Sequence, residues 1–233
     1  FIPIDYFYFI QNMEKDQNRL SRAVITTKDG SNSIFIPELD EHYHSVHGAI
    51  QEALHVFIGM GLDQCLIEPI RILEVGFGTG LNCLLTCLTE REIFYHGVEA
   101  YPVQREILNK LNYAELTGDN KGLFKSIHVA SWQSVERITP NFRLLKDQAL
   151  IQEIEITEQY DLIYFDAFGP RAQKELWNPK LYGKLYSALA VNGIFVTYCA
   201  KGQVRRDLQS VGFKMERLPG PPGKREMLRG RKV

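Results

Sequence analysis

The stretch Ile72 to Asn82 reads ILEVGFGTGLN, and it constrains the fold more than any other part of the chain. An apolar run that carries an acid, Glu74, runs into glycines at 76, 78 and 80 and then into residues that favour a helix. A buried strand, a glycine turn and a helix in that order make a ligand site at the carboxyl edge of a parallel sheet. Gly76 and Gly78 let the backbone approach a ligand closely, and Gly80 lets the helix pack against the strand. The spacing is G-x-G-x-G, with Leu81 where the dinucleotide fingerprint G-x-G-x-x-G has its last glycine. Glu74, two residues before the loop, suits a cationic ligand better than a diphosphate.

Around this turn, strand and helix patterns alternate. IRILEV (70–75), IFYHGVEA (93–100), YDLIYFDAF (160–168), IFVTYCA (194–200) and REMLRG (225–230) read as strands, and ALIQEIEI (149–156) alternates like another. Helices are expected over 79–91, 102–113 with Pro102 at its start, 179–193 closed by Asn192-Gly193, and 202–212. The stretch 114–150 has no clear period. Before the alternation, two β-rich runs flank Asp29-Gly30 in 22–39, and from Ile50 apolar residues recur at helical spacing. The expected fold is α/β: a mostly parallel sheet with helices on both faces and a small N-terminal β-hairpin and helix. Three segments follow: an N-terminal extension (1–21), in part cloning-derived, a hairpin and helix covering the ligand site (22–69), and the main domain (70–233).

Composition sets the remaining bounds. A chain of 233 residues that is 45% apolar can bury one sizeable core. The cysteines at 65, 83, 87 and 199 form no C-x-x-C pair and are too sparse for a disulfide framework, which points to reduced thiols in the cytoplasm. No apolar run approaches the ~18 residues of a membrane span. His42, His44 and His47 do not have the i, i+4 spacing of a helical metal pair, so no metal is expected. Charge is uneven: residues 201–233 hold ten basic and three acidic side chains, a net +7, while the other 200 residues carry −8. Such a two-sided distribution is what a near-neutral protein needs if one face meets phosphates.

E-V-G-x-G-x-G at 74–80 resembles the first motif of the class I methyltransferases, whose cofactor S-adenosyl-L-methionine carries a sulfonium and an ammonium. Glu99 ends the second strand, where an acid can accept hydrogen bonds from ribose hydroxyls, a feature shared with NAD enzymes. YFDAFGPRAQKELW (164–177) and RRDLQSVGFKMERLPGPPGKREMLRG (205–230) resemble the methyltransferase domain of the MnmC-like tRNA-modification enzymes. VGFGTGLN (75–82) fits that family, as does DEHYHSVHGAIQEA (40–53) more loosely. The resemblance covers the chain from about residue 22 and is weak over 114–156.

It implies a Rossmann-like class I methyltransferase fold. It also implies methylation of 5-aminomethyl-(2-thio)uridine to 5-methylaminomethyl-(2-thio)uridine at the tRNA wobble position. Asp166 would hold the acceptor amine and take its proton, and Phe168 would stack on a flipped base. Glu74, Gly76, Gly78, Gly80, Asn82 and Glu99 would bind the cofactor, with Tyr43 and Ser45 reaching it from a covering segment. Arg205, Arg206, Lys224 and Arg225 would hold the anticodon arm. Family members often carry a second, FAD-dependent oxidase domain. With nothing after Val233, methylation alone is expected here. The family's strand-end acid for the adenine amino group has no clear match.

Two other functions suit parts of the pattern. An aminopropyltransferase like spermidine synthase uses the same glycine loop and an Asp-rich strand end, but the basic C-terminus argues against it. A non-catalytic RNA-binding module on this fold would not need the intact glycine loop and Glu99; calorimetry with S-adenosyl-L-methionine separates the two.

Overall fold

The computed structural model describes residues 20–157 and 159–233. The expected N-terminal extension therefore lies almost wholly outside the described residues, as does its origin.

Strand β4 (Ile70–Val75) is the centre of the molecule. Its alternate side chains leave on opposite faces: Ile70 and Ile72 join one buried cluster, Leu73 and Val75 the other. Both faces are covered, which is why the run is apolar throughout rather than alternating. β4 pairs in parallel with β5 (Ile93–Glu99) on one side and with β8 (Tyr160–Phe165) on the other. β7 (Phe142–Gln148) lies outside β5, and β9 (Leu189–Thr197) lies outside β8, both again parallel. Antiparallel strands close the edges: β6 (Val135–Thr139) against β7, and the hairpin β10 (Lys214–Pro219) and β11 (Glu226–Arg231) against β9. The order is β10-β11-β9-β8-β4-β5-β7-β6. Strand order reverses at β4, between β5 and β8, and such a reversal opens a crevice beyond the strand ends.

The N-terminal segment adds a three-stranded antiparallel sheet: β1 (Ala23–Thr26), β2 (Asn32–Ile36) and β3 (Glu41–His42). At its first turn, Asp29 accepts from Thr27 and Ser31 through one oxygen and from the Gln51 amide through the other. The turn is thereby tied to helix α1 (Ala49–Ala53), which continues as a wider turn over Leu54–Gly59. Ala49, Ala53, Val56 and Phe57 pack in the same cluster as Leu81 and Leu84 of helix α2 (Leu81–Cys87). The remaining helices are α3 (Arg105–Leu108), α4 (Tyr113–Leu116), α5 (Leu123–Val129), α6 (Pro179–Ala188) and α7 (Gly202–Ser210). Among the described residues, no helix is long and apolar enough to cross a membrane.

Three local expectations are corrected. Residues 149–156 form no strand; Lys184 Nζ donates to the carbonyls of Ile151, Gln152 and Ile154, so these oxygens are satisfied outside any ladder. Their alternation reflects Ile151, Ile154 and Ile156 packing on the cluster under α6. Helix α6 stops at Ala188, and Asn192-Gly193 lies inside β9, not at a helix end. Asn192 has φ 64°, and the pairing jumps from Tyr160–Leu189 to Leu162–Ile194, a bulge that absorbs the extra residues. Of the helix expected over 102–113 only α3 forms, three residues after Pro102, and α4 begins at the last residue of that range. β10 was not foreseen: its polar residues make an edge strand half open to solvent.

Candidate functional site

The glycine loop leaves β4 with its amides already directed. Gly76 N–H and Phe77 N–H both donate to Val98 O, at 3.0 and 3.1 Å. Gly76 has φ 89°, and a Cβ there would stand 2.6 Å from the backbone oxygen of Asp166. The loop thus passes against the end of β8 at a distance only glycine permits. Gly80 has φ 72° and begins α2, where a Cβ would meet His128. Glu99, at the end of β5, holds the loop from the other side. One oxygen accepts from Gly78 N–H at 2.8 Å and the other from Tyr101 N–H at 2.9 Å.

Above the loop lies a cavity of about 430 Å³, within the usual range for small-molecule sites. It collects the ends of β4, β5 and β8, the turn 149–153, and the β2–β3 region of the N-terminal sheet. Of the residues singled out in the sequence, Gly76, Gly78, Asn82, Glu99, Tyr43, Asp166 and Phe168 line it.

Glu74 does not. It shares the face of Ile70 and Ile72, so its side chain turns under α2 and is fully buried. One oxygen accepts from Tyr95 OH at 2.7 Å and the other from Asn82 Nδ2 at 2.9 Å. Burial pushes its carboxyl well above the usual range. Asn82 connects it to the cavity, because the same Nδ2 donates to Asp166 Oδ2 at 2.9 Å. With its nitrogen between two carboxyls, Asn82 leaves Oδ1 buried without a partner. A buried acceptor in that condition calls for a donor from whatever occupies the site. Gly80 and Ser45 also lie off the cavity. Ser45 Oγ accepts from His47 N–H, and its own N–H donates to Glu52.

Asp166 stands at the end of β8. Burial first, then the charge of Glu52, pushes its carboxyl up to about 7, against the opposing effects of the Asn82 hydrogen bond and Lys224. A carboxyl that titrates near neutrality exchanges a proton at physiological pH. Phe168 is set by two bonds: its N–H donates to Gln173 and its carbonyl accepts from Trp177 Nε1. Its ring meets Tyr43 edge-on at 5.0 Å. The Tyr43 hydroxyl is pushed up to about 12, by burial and then by Glu99, and stays protonated.

The four basic residues are not brought together at the cavity. Arg205 and Arg206 lie on α7, bonded to Gln209 and Gln203. Arg225 is exposed, while Lys224 turns inward to pair with Glu52. The three histidines are separate. His42 stacks on Phe35, His47 sits against Gly223, and His44 is buried beside Ser33 and Tyr113, its imidazole pushed down to about 4 by burial. Among the described residues, no group of three or more His, Cys, Asp or Glu side chains is arranged to hold a metal.

Three residues at or near the site were missed. Arg22 and Thr79 line the cavity; Thr79 lies inside the glycine loop and was passed over for the glycines, while nothing around Arg22 in sequence marks it. Glu52 had a signal: it falls with Ala49, Ala53 and Val56 on the buried stripe of α1, and an acid there is 6% exposed.

The profile of an S-adenosyl-L-methionine-dependent methyltransferase family matches residues 127–233. A tRNA 5-methylaminomethyl-2-thiouridine biosynthesis bifunctional protein MnmC from Hydrogenovibrio crunogenus is 32% identical over 211 residues, 82% of this chain and 31% of that protein. The protein of that name from Cupriavidus metallidurans is 29% identical over 224 residues, 87% of this chain and 33% of its own length. The chain thus spans about a third of the length of these curated relatives. Among solved structures, MnmC2 from Aquifex aeolicus superposes with a TM-score of 0.70 at 23% identity, covering 91% of this chain and 70% of that one. A spermidine synthase bound to the transition-state analogue AdoDATO gives 0.52 at 15% identity, covering 87% and 70%. Those two likenesses establish a common fold and do not distinguish methyl from aminopropyl transfer.

Proposed function

Because the chain belongs to the MnmC-like S-adenosyl-L-methionine-dependent methyltransferase domains, we propose that it methylates the primary amine of 5-aminomethyl-(2-thio)uridine at the wobble position of tRNA. The observation that carries the reading is the juxtaposition in one cavity of the glycine loop, Glu99 and an Asp166 carboxyl that titrates near neutrality.

The residues fit the cofactor. Gly76 lets the loop pass against the end of β8, and Gly78, whose Cβ would stand 3.3 Å from the Tyr43 ring, borders the cavity with backbone alone. Asn82 Oδ1 is an unpartnered acceptor suited to an ammonium, and Glu99 stands at the strand end that suits ribose hydroxyls. When bound, S-adenosyl-L-methionine supplies a methyl group activated by its sulfonium.

The acceptor amine must be neutral to offer its lone pair, and the product amine must lose a proton. Asp166 receives that proton from the acceptor nitrogen, directly or through one water, and Asn82 fixes the carboxyl by its bond to Oδ2. Tyr43 and Phe168 form an aromatic wall against which a splayed-out base stacks. Holding both reactants in one geometry supplies the larger part of the acceleration. The relation to proteins named for 5-methylaminomethyl-2-thiouridine biosynthesis supports this acceptor over a polyamine.

The test is nucleoside mass spectrometry of tRNA that carries the aminomethyl group, after incubation with S-adenosyl-L-methionine. A gain of one methyl on that nucleoside is expected. Asp166→Ala should lower the rate about a hundredfold or more while the protein still binds the cofactor in calorimetry. No methylation by the wild-type protein, or full activity in the variant across neutral pH, would remove the substrate or the base respectively.

A further inference from the structure

The PGPPGK turn, residues 219–224, carries Lys224 away from solvent and under the N-terminal segment. A Cβ at Gly223 would overlap the His47 ring, so the turn lies directly against the β3–α1 connection. Lys224 Nζ donates to Glu52 Oε1 and stands 4.0 Å from the centroid of the Tyr198 ring. The other Glu52 oxygen accepts from Ser45 N–H at 2.8 Å. Tyr198 OH donates to the carbonyl of Ala167, the residue after Asp166. Three distant parts of the chain therefore meet next to Ala167, the residue after Asp166, and of the two charges they bring Glu52 is buried and Lys224 half-buried.

We propose that the Glu52–Lys224 pair is a positioning device for Asp166: its two charges balance one another beside that carboxyl and fix whether Asp166 is ready to take a proton. Lys224 is then a positioning residue and makes no phosphate contact. The proposal rests on Asp166 being the proton acceptor of the methyl transfer.

The groups around Asp166 are few. From α2, Asn82 donates to Oδ2, and through Asn82 it is joined to Glu74 of β4. Tyr198, after the end of β9, reaches its neighbour Ala167, Lys224 of the C-terminal turn stands over the Tyr198 ring, and Glu52 of α1 pairs with Lys224; the charges of Glu52 and Lys224 act on Asp166 from there. The Tyr198 hydroxyl is held protonated by burial and by Asp166 itself, so it does not titrate near neutrality. Glu52 opposes ionisation of Asp166 and Lys224 favours it. The pair has no net charge, yet each member acts, and removing either one exposes the other.

The signs are opposite and follow from charge alone. Lys224→Met removes the cation and leaves Glu52 uncompensated, so the Asp166 midpoint rises. Glu52→Gln removes the anion and leaves Lys224, so the midpoint falls. An opposite charge at close range typically moves a carboxyl by about one to three units, and shifts of about one unit in each direction are expected. Lys224→Arg keeps the charge and should stay near wild type.

The measurement is the carboxyl carbon titration of Asp166 by NMR in the free protein labelled at aspartate, with the signal identified by its loss in Asp166→Asn. Opposite shifts in Lys224→Met and Glu52→Gln bear the proposal out. Shifts of one sign, or none, overturn it and make the pair a structural clamp. If Lys224→Met does not fold, Glu52→Gln, which retains an acceptor for Ser45 N–H, decides by the sign of its shift. No methyl transfer is measured, so this failure is separate from failure of the tRNA assay. Opposite shifts without tRNA methylation would leave the charge pair standing and remove the reaction.

Discussion

At the scale of single residues, the site depends on carboxyls held where they do not ionise easily. Asp166 has a folded-state midpoint of about 7, above its ordinary value. An acid raised on folding contributes most to stability when protonated, below its unfolded value of about 4. That contribution is lost as pH rises from about 4 to 7 and stays lost above. Asp166→Asn keeps an acceptor for Asn82 and removes the titration. Its melting temperature relative to wild type should climb between pH 4 and 7 and level off beyond; a constant difference across that range would show that Asp166 is not raised by its surroundings. How legible these residues were follows from their physics. The glycines and Asp166 were readable because a close backbone approach and a strand-end acid leave signatures in local sequence. Glu74 was readable as special but not in its place. In a sheet buried on both faces, parity says which residues share a side and not which side meets the ligand. The role of Asn82 between two carboxyls came only with the structure.

At the scale of elements, the errors cluster where tertiary partners replaced a regular ladder. Residues 149–156 alternate like a strand, yet three of their carbonyls are collected by Lys184 from α6, 30 residues or more along the chain. β9 begins where a helix end was expected, because the Asn192-Gly193 bulge is held between strands. Asn192 N–H donates to Lys232 O, and Lys232 N–H donates to Gly193 O. Neither partner is local, so neither could be inferred from a window of sequence. Five of the six inner strands, by contrast, carry their own signal in local sequence; β7, within 114–150, does not. The turn at 149–153 also lines the cavity, so Lys184 links stability to the site. Lys184→Met should reduce stability by about 1–3 kcal/mol, the range for a charged hydrogen-bond donor lost from buried acceptors, with partial exposure favouring the lower end. Affinity for S-adenosyl-L-methionine should weaken with it. Urea unfolding and calorimetry check both; an unchanged midpoint would mean that water replaces the ammonium without loss.

At the scale of the whole molecule, the charge asymmetry of the sequence survives in a reduced form. Of the ten basic residues after 200, Lys224 is paired with Glu52, Arg229 with Glu216 and Arg217 with Glu226. Lys232 donates to the carbonyls of Tyr186, Ser187 and Leu189 at the end of α6. The charges of these four are matched or bonded within the protein. Lys201, Arg205, Arg206, Lys214, Arg225 and Arg231 make no ion pair among the described residues, and of these six Arg205 and Arg206 on α7 and Arg225 beside β11 are the ones expected to meet phosphates. Counterion release sets the expectation: each phosphate contact on a single strand contributes about −0.7 to the slope of log affinity against log salt. Replacing Arg205, Arg206 and Arg225 by alanine together should therefore weaken tRNA binding and flatten that slope by about 2. Affinity for S-adenosyl-L-methionine should not change, because none of the three lines the cavity. Adding Lys224→Met to the triple variant should not flatten the slope further, since its charge is already matched by Glu52. The measurement is tRNA affinity at several salt concentrations for the wild type, the triple and the quadruple variant. Parallel lines for wild type and triple variant would put the phosphate-binding face elsewhere, and a further flattening in the quadruple variant would return Lys224 to the phosphates.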